Sequence, residues 1–424
     1  MNKLLPTFVL LLIISLPAFS QNINGRFSSS FYSFERFDST DASVTHFRTF
    51  QLLNLNFGKD KVYLRTSMNL EADLAKDLVT DPRLRFYNLY VDARNLWDLV
   101  SFKIGRQPLF NSIAGGVFDG ATVGLKFNSY KFQVFYGGNV PAYQKLELTE
   151  NWSDNYVLGG GVTIYALQDW QFGLKYINKN FRSNPYLATR TLAPDYDPIT
   201  IEIANKSLQY QFISGEVSYY KENFVRINTK YEYDLNFNTT SKIELDGRYE
   251  KIKNLGLTLY SNYRQPKIRY NSIFSVFDFG NTWEVEGGAD YRLNGGYTVL
   301  AKVANVSYKE ESSQRLTAGL STPYGTITGR MNLGYAGELS TVSFYGALPV
   351  FEGLVTPSLG LSYTSYKQSS DSPTNNLTSV LGGVNVRPFR MLSFDVQGQY
   401  INNKIYKDDW RMFFKLNFWF NSNF

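Results

Sequence analysis

The chain has 424 residues, with 43 basic and 37 acidic side chains, one histidine and no cysteine. Without cysteine it can form no disulfide, which excludes the small disulfide-stabilised secreted modules. The formal net charge of +6 is spread along the chain, and it contains no basic cluster of the kind that binds phosphates. The composition therefore gives no basis for nucleic-acid binding.

The first twenty residues predict a cleaved signal peptide. Lys3 gives a positive start, residues 4–19 are mostly apolar, and residues 18–20 end in a small-x-small pattern. A retained membrane anchor is the less favoured alternative, because this apolar run is shorter than the roughly 20 residues that cross a bilayer. We expect the mature chain to be one domain over residues 21–424, in which no later run is long and apolar enough for a spanning helix.

Residues 224–250 show a pattern that recurs along the chain, an alternation of charged and apolar side chains. Successive side chains of a β-strand point to opposite faces, so this alternation gives one apolar face and one polar face. Residues 282–293 repeat it. The segments approach the nine to eleven residues that a tilted strand needs to cross a bilayer.

Counting such segments predicts about 22 strands, with a range of 16–22 if short neighbours merge. Short connections alternate with long ones, as in outer-membrane barrels, and an even strand number places both termini on one side. Because unpaired backbone groups are costly in hydrocarbon, the sheet must close on itself. The expected fold is all-β, a transmembrane antiparallel β-barrel. The predicted strands lie near residues 22–34, 45–57, 61–71, 82–94, 98–107, 118–127, 130–138, 155–166, 169–180, 207–220, 224–235, 240–250, 255–266, 282–293, 296–309, 312–322, 325–337, 340–349, 355–367, 376–388, 391–402 and 410–420.

Charged residues on these strands form the predicted pore-lining set. Across the turn between two of the strands, one register sets Asp234 opposite Lys242. Another sets Glu232 opposite Lys242 and Lys230 opposite Glu244. Either register pairs mostly acid with base, at about 0.2–1 kcal/mol per pair. Structural ion pairing is the favoured role, and a transverse field that sorts solutes is the alternative. The set comprises Arg226, Lys230, Glu232, Asp234, Lys242, Glu244, Asp246, Arg248, Glu284, Glu286, Asp290 and Arg292.

The last predicted strand is aromatic on one face. Trp410, Phe414, Phe418 and the terminal Phe424 share one parity. A chain that ends in this way resembles the outer-membrane β-barrel proteins of Gram-negative bacteria, in which that terminus acts as an assembly signal. The resemblance implies a location in the bacterial outer membrane, contact with its lipid, and recognition by barrel-assembly machinery through the strand ending in Phe424.

A barrel of 16 or more strands is too wide for its side chains to fill. The first predicted strand follows the cleavage site closely, so we expect no N-terminal plug. The third outer loop, residues 108–118, is apolar, contains glycine and lacks charge, which is unusual for an exposed loop. The porin-like resemblance implies that this loop folds into the lumen and constricts it, and packing on the inner wall without a selective role is an equal alternative. The predicted constriction residues are Pro108, Phe110, Asn111, Ser112 and Phe118.

Enzyme chemistry has little support in this sequence. His46 is the single histidine, and its place at the start of a predicted strand indicates a solvated surface residue. We expect no catalytic residue, metal or cofactor. The sequence predicts a porin-like outer-membrane channel for passive diffusion of small hydrophilic solutes, with a homo-oligomer as an open option. The alternative is a barrel scaffold or docking component of an outer-membrane secretion, motility or surface-assembly complex.

Overall fold

The computed structural model describes residues 22–39, 42–76, 78, 82–109, 112–141, 146–181, 186–192, 197–203, 208–335, 337–369, 372–405 and 407–423. The predicted signal peptide, Phe110, Asn111 and Phe424 lie outside these ranges. Within them, no helix has the length and apolar character needed to cross a membrane.

Twenty-two of the strands form one closed antiparallel ring. Each ring strand pairs with the next along the chain, and β1 also pairs with β24, from Asn22 opposite Asn423 to Ser33 opposite Met412. Closure leaves no edge strand, and the 22 strands confirm the predicted number. The strands are β1 (Asn22–Ser39), β2 (Ala42–Lys59), β3 (Val62–Asp73), β4 (Arg83–Leu96), β5 (Val100–Pro108), β6 (Val117–Phe127), β7 (Tyr130–Val140), β8 (Tyr156–Ile164), β9 (Trp170–Lys179), β10 (Tyr186–Leu192), β11 (Asp197–Ile203), β12 (Tyr210–Lys221), β13 (Val225–Asp234), β14 (Thr239–Tyr249), β15 (Leu255–Arg264), β16 (Thr282–Arg292), β17 (Thr298–Tyr308), β18 (Glu311–Thr322), β19 (Gly325–Gly334), β20 (Glu338–Ala347), β21 (Val355–Lys367), β22 (Asn375–Phe389), β23 (Leu392–Asn402) and β24 (Asp409–Asn423).

Strands β10 and β11 stand apart from the ring. Among the described residues they pair with each other alone, in a two-stranded sheet within the connection from β9 to β12, where the sequence analysis predicts no strand. The alternating stretch Ile199-Thr-Ile-Glu-Ile203 was the available signal. Three short 3₁₀ turns complete the described elements, at Ile273–Val276, Asn294–Gly296 and Phe351–Gly353.

The two ends of the barrel differ in their connections. At the end that holds Asn22 and Asn423, the strands are joined by short turns whose Asp or Asn residues adopt positive φ, such as Asp60, Asn128 and Asn223. Asp and Asn tolerate this left-handed conformation better than most residues, which fits them to tight turns. The opposite end carries the longer loops, including 109–116 and 265–281. The predicted alternation of short and long connections is confirmed.

The sheet has one apolar face and one charged face. Ile104, Val134 and Leu259 belong to the apolar face, where large apolar side chains are exposed. Glu216 lies opposite Lys230, which lies opposite Glu244, so charges follow one another across β12, β13 and β14 on the other face. The period of two seen in the sequence therefore becomes two chemically distinct surfaces.

The hairpin β13–β14 decides between the two predicted registers. Lys230 is opposite Glu244, and Glu232 is opposite Lys242, which confirms the second register. The first, with Asp234 opposite Lys242, is wrong. A bulge places Ser241 as an extra residue on β14, and Asp234 pairs with Thr239 beyond it.

A buried ion pair lies on the apolar face near the loop end of β5 and β6. Arg106 and Asp119 are directly opposite each other and are 5% and 2% exposed. Nε and Nη2 of Arg106 donate to the two carboxylate oxygens of Asp119 over 2.7 and 2.8 Å, a bidentate pair. Residues 146–155, which we call the flap, cover it. The backbone N–H of Thr149 donates to Asp119 over 2.9 Å, and Arg106 Nη2 donates to the Glu147 carbonyl oxygen over 2.7 Å.

The flap lies so close to β7 that only glycine fits beneath it. A Cβ atom on Gly138 would lie 2.6 Å from Cβ of Thr149 and 2.7 Å from Nε1 of Trp152. We expect Gly138→Ala to lift the flap and to lower the free energy of unfolding by about 1–3 kcal/mol, the usual cost of overpacking. Urea unfolding in detergent, with limited proteolysis of the flap, measures both effects.

The matched control is Gly215→Ala, which also lies on the apolar face and has no atom within 4 Å of the added Cβ. It should leave stability and proteolysis unchanged. Equal behaviour of the two variants would show that the flap does not press on Gly138.

Candidate functional site

The twelve predicted pore-lining residues all share the charged face, since the cross-strand registers from β13 to β16 connect them. Many are paired. Arg248 donates to Asp290 over 2.6 and 3.0 Å, and Lys242 Nζ lies 2.5 Å from Glu244 Oε2. Arg315, which we had not predicted, binds both Glu284 and Glu286. The favoured reading, a wall laced by ion pairs, agrees with these contacts.

The described part of the loop between β5 and β6, Leu109 and residues 112–116, lies on the same charged face. Leu109 and Ile113 of this loop are buried in an apolar cluster with side chains of β6, β7, β8, β9 and β12. Burying two such side chains contributes roughly 1.5–3 kcal/mol each. The cluster consists of Leu109, Ile113, Phe118, Phe135, Val157, Ile177 and Phe212.

Lysines hold the backbone of this loop. Lys230 donates to the Ser112 carbonyl oxygen, and Lys267 donates to the Ile113 carbonyl oxygen over 2.7 Å. Lys179 donates to the Gly115 carbonyl oxygen over 3.1 Å. Three loop carbonyls thus accept charge-assisted hydrogen bonds.

The side chain of Ser112 joins a further ion pair. Its hydroxyl donates to Glu216 Oε1 and accepts from Lys175 Nζ over 3.0 Å. Lys175 also binds Glu216 Oε2 over 2.6 Å. Beside them, the fully buried Glu232 lies between Lys230 and Lys267, with its Oε2 2.6 Å from Lys267 Nζ. The loop is therefore fixed by polar contacts as well as by apolar packing.

The predicted constriction residues have different positions. Pro108 ends β5, and Phe118 belongs to β6, where it is buried in the apolar cluster. Ser112 is the predicted residue whose polar contacts fix the loop. Phe110 and Asn111 lie outside the described residues.

Strands β2, β3 and β4 carry a second group of charges, which sequence reasoning missed. Five arginines surround three carboxylates on the charged face. We call this group the arginine wall. It comprises Arg48, Arg65, Arg83, Arg85 and Arg94 with Glu71, Asp73 and Asp92.

His46 borders the arginine wall and corrects our prediction. It is buried rather than solvated, with Nδ1 2.6 Å from Asp73 Oδ2 and its ring stacked on Phe34. Its position opposite Phe34 turns it to the charged face, where neighbouring side chains cover it. In the part of the chain that the structure describes, no group of three histidine or acidic side chains could hold a metal ion.

Comparison with known proteins gives the architecture. No family model and no curated protein matches the chain by sequence. A chain of the E. coli P pilus tip assembly intermediate PapC-PapD-PapK-PapG matches with a TM-score of 0.55 and 9% identity, over 95% of this chain and 62% of that one. This chain has the fold of a closed, porin-like β-barrel.

Two further solved structures are similar to the barrel over nearly their whole length. The P pilus usher (PapC) translocation pore has a TM-score of 0.48 and 8% identity, over 94% of the barrel chain and 99% of its own. Pseudomonas aeruginosa OccK1 (OpdK) has a TM-score of 0.43 and 8% identity, over 95% and 99%.

Proposed function

We propose that the protein is a porin-like outer-membrane channel through which small hydrophilic solutes diffuse passively. The observation that carries this is the loop of residues 109–116, which lies on the charged face of a closed barrel. A barrel in a bilayer turns its apolar face to lipid and can enclose water on the other face. Our expectation of contact with outer-membrane lipid follows from the same arrangement.

The contacts of the loop indicate which face is inside. The loop starts and ends at β5 and β6, yet Ser112 binds Lys230 on β13, five ring strands beyond β6. The intervening strands contribute to the apolar cluster with the same face. A loop that starts at β5 and reaches β13 takes the shortest path across the interior of the cylinder. The charged face is therefore the lumen wall, and the loop narrows the lumen.

Selection in such a channel is non-covalent. The twelve charged residues and the loop offer hydrogen bonds and fixed charges that replace part of the hydration shell of a passing solute. We propose no catalytic residue and no cofactor.

Purified protein should produce discrete conductance steps in planar bilayers and should carry small sugars and amino acids into liposomes. The alternative, a barrel scaffold or docking component, predicts no steps together with stoichiometric copurification of partner proteins. Absence of both conductance and solute flux in protein that is correctly folded would refute the channel.

Recognition by barrel-assembly machinery and the formation of a homo-oligomer remain predictions. The C-terminal strand β24 closes the ring against β1, which is the place expected of a strand that assembly machinery recognises. Phe424 itself lies outside the described residues. Crosslinking of the folded barrel in native membranes tests for a homo-oligomer.

A further inference from the structure

We infer that the arginine wall is a binding strip for small organic anions that carry a carboxylate group. This inference rests on the proposed channel and names the class of solute it prefers. The composition indicates no such preference, because acidic and basic residues are nearly equal in number, 37 against 43. The structure separates them by burial.

The carboxylates of the wall are hidden from the lumen. The side chains of Asp73 and Asp92 have no exposed area, and that of Glu71 is 4% exposed. The acids therefore lie beneath the surface that a solute would meet.

The arginines stay partly exposed above them. Arg48, Arg65, Arg83 and Arg85 are 24–31% exposed, and Arg94 is 52% exposed. Five guanidinium groups against three carboxylates leave a difference of +2 in this group. A passing solute would meet mainly guanidinium N–H donors.

The acids hold the arginines in place. Glu71 Oε2 lies 2.7 Å from Arg83 Nη2 and 3.7 Å from Arg85 Nη1. Asp92 Oδ2 lies 3.0 Å from Arg65 Nε and 2.7 Å from Arg94 Nε. Each guanidinium has five N–H donors in a planar fork, so such contacts leave donors that can bind a carboxylate in two-point fashion.

The wall on the other side of the lumen has no such excess. Counting along the ring, β16 is eleven strands from β3, half of 22, and therefore faces it. There Glu286 binds Lys302 and Arg315, and Asp290 binds Arg248. The acids named on that side each bind a base, so these pairs carry less excess positive charge than the five arginines and three carboxylates of the arginine wall.

The test uses reversal potentials in planar bilayers with a tenfold KCl gradient at low ionic strength, followed by competition with sodium benzoate as the organic anion. The wild type should prefer chloride to potassium, and benzoate should reduce the chloride current. Arg85→Gln with Arg94→Gln should lower the chloride preference roughly twofold to fourfold, since at low ionic strength each removed charge acts over a Debye length of roughly 10–30 Å. Glu71 retains Arg48 and Arg83, and Asp92 retains Arg65, so no buried carboxylate is stranded.

The matched control removes two charges from the far side of the lumen, with Lys302→Gln and Arg330→Gln, which lie on the same charged face and outside the twelve predicted residues. Glu286 retains Arg315 there, and Arg330 Nε donates to the amide oxygen of Asn332 over 3.1 Å, which is not a carboxylate. The control should shift the reversal potential less than the arginine-wall variant, and it should leave the competition by benzoate intact. Arg85→Lys with Arg94→Lys keeps the charge but should weaken benzoate competition, because lysine lacks the planar fork.

The outcomes separate the two proposals. No conductance at all would refute the channel itself. A conducting barrel with no chloride preference, or with equal shifts in both double variants, would overturn the arginine wall as the anion strip while leaving the channel standing.

Discussion

Deletion of residues 112–116 is expected to raise the single-channel conductance roughly twofold or more, because current through a pore is limited by its narrowest cross-section. The deletion removes Ser112 and Ile113, whose carbonyl oxygens are held by Lys230 and Lys267. It also takes one side chain out of the apolar cluster. Planar-bilayer recordings of the purified variant at fixed salt measure the effect directly.

A matched control is the deletion of residues 150–154. It removes five residues from the flap, which lies on the apolar face of the sheet, opposite to the face that carries the loop. The flap residues Glu147 and Thr149, which bind Arg106 and Asp119, remain. Conductance should stay at the wild-type value. If the loop deletion also left it unchanged, the loop would be a wall-packed element with no part in constriction, the second of the two roles predicted from its sequence.

Much of the fold could be predicted because the strand signal has a period of two and repeats along the chain. Long strands with one apolar and one charged face, such as β13 and β14, can be located and oriented from the alternation alone. The register between them was harder. The register depends on a bulge at Ser241, which the sequence pattern does not reveal. Because of this bulge, Asp234 lies opposite Thr239 and not opposite Lys242.

The hairpin β10–β11 was missed for a different reason. It lies outside the ring, and its two strands pair with each other. A count of membrane-spanning strands is therefore complete without it. Its three prolines, Pro185, Pro194 and Pro198, made the segment read as an irregular loop.

The site was predictable only in part. Residue type and parity identified the twelve charged positions, since both are properties of a single strand. The burial of a side chain, in contrast, depends on neighbouring strands. The depth of Glu71 and Asp92 beneath Arg83 and Arg94 depends on three strands meeting at once, as does the burial of His46. The sequence therefore indicated mixed charges, whereas the structure buries the carboxylates of the arginine wall and leaves its arginines partly exposed.

Replacing Asp119 with Asn is expected to lower the free energy of unfolding by about 3–5 kcal/mol, because it leaves the Arg106 charge buried without its carboxylate partner. This pair differs from the lumen pairs in its surroundings. It lies on the apolar face of the sheet, where the flap covers it. An unpaired arginine there cannot turn to water as lumen side chains can.

Urea unfolding in detergent micelles measures the loss, with Asp98→Asn as the control. Asp98 is 91% exposed and binds Lys61 at a turn, so its loss should cost no more than about 1 kcal/mol. Replacing both Arg106 and Asp119 with leucine should recover most of the stability, since neither variant side chain leaves a charge uncompensated on an apolar surface. A double variant as unstable as Asp119→Asn would show that the hydrogen bonds from Thr149, and not the charge balance, hold the flap against the barrel.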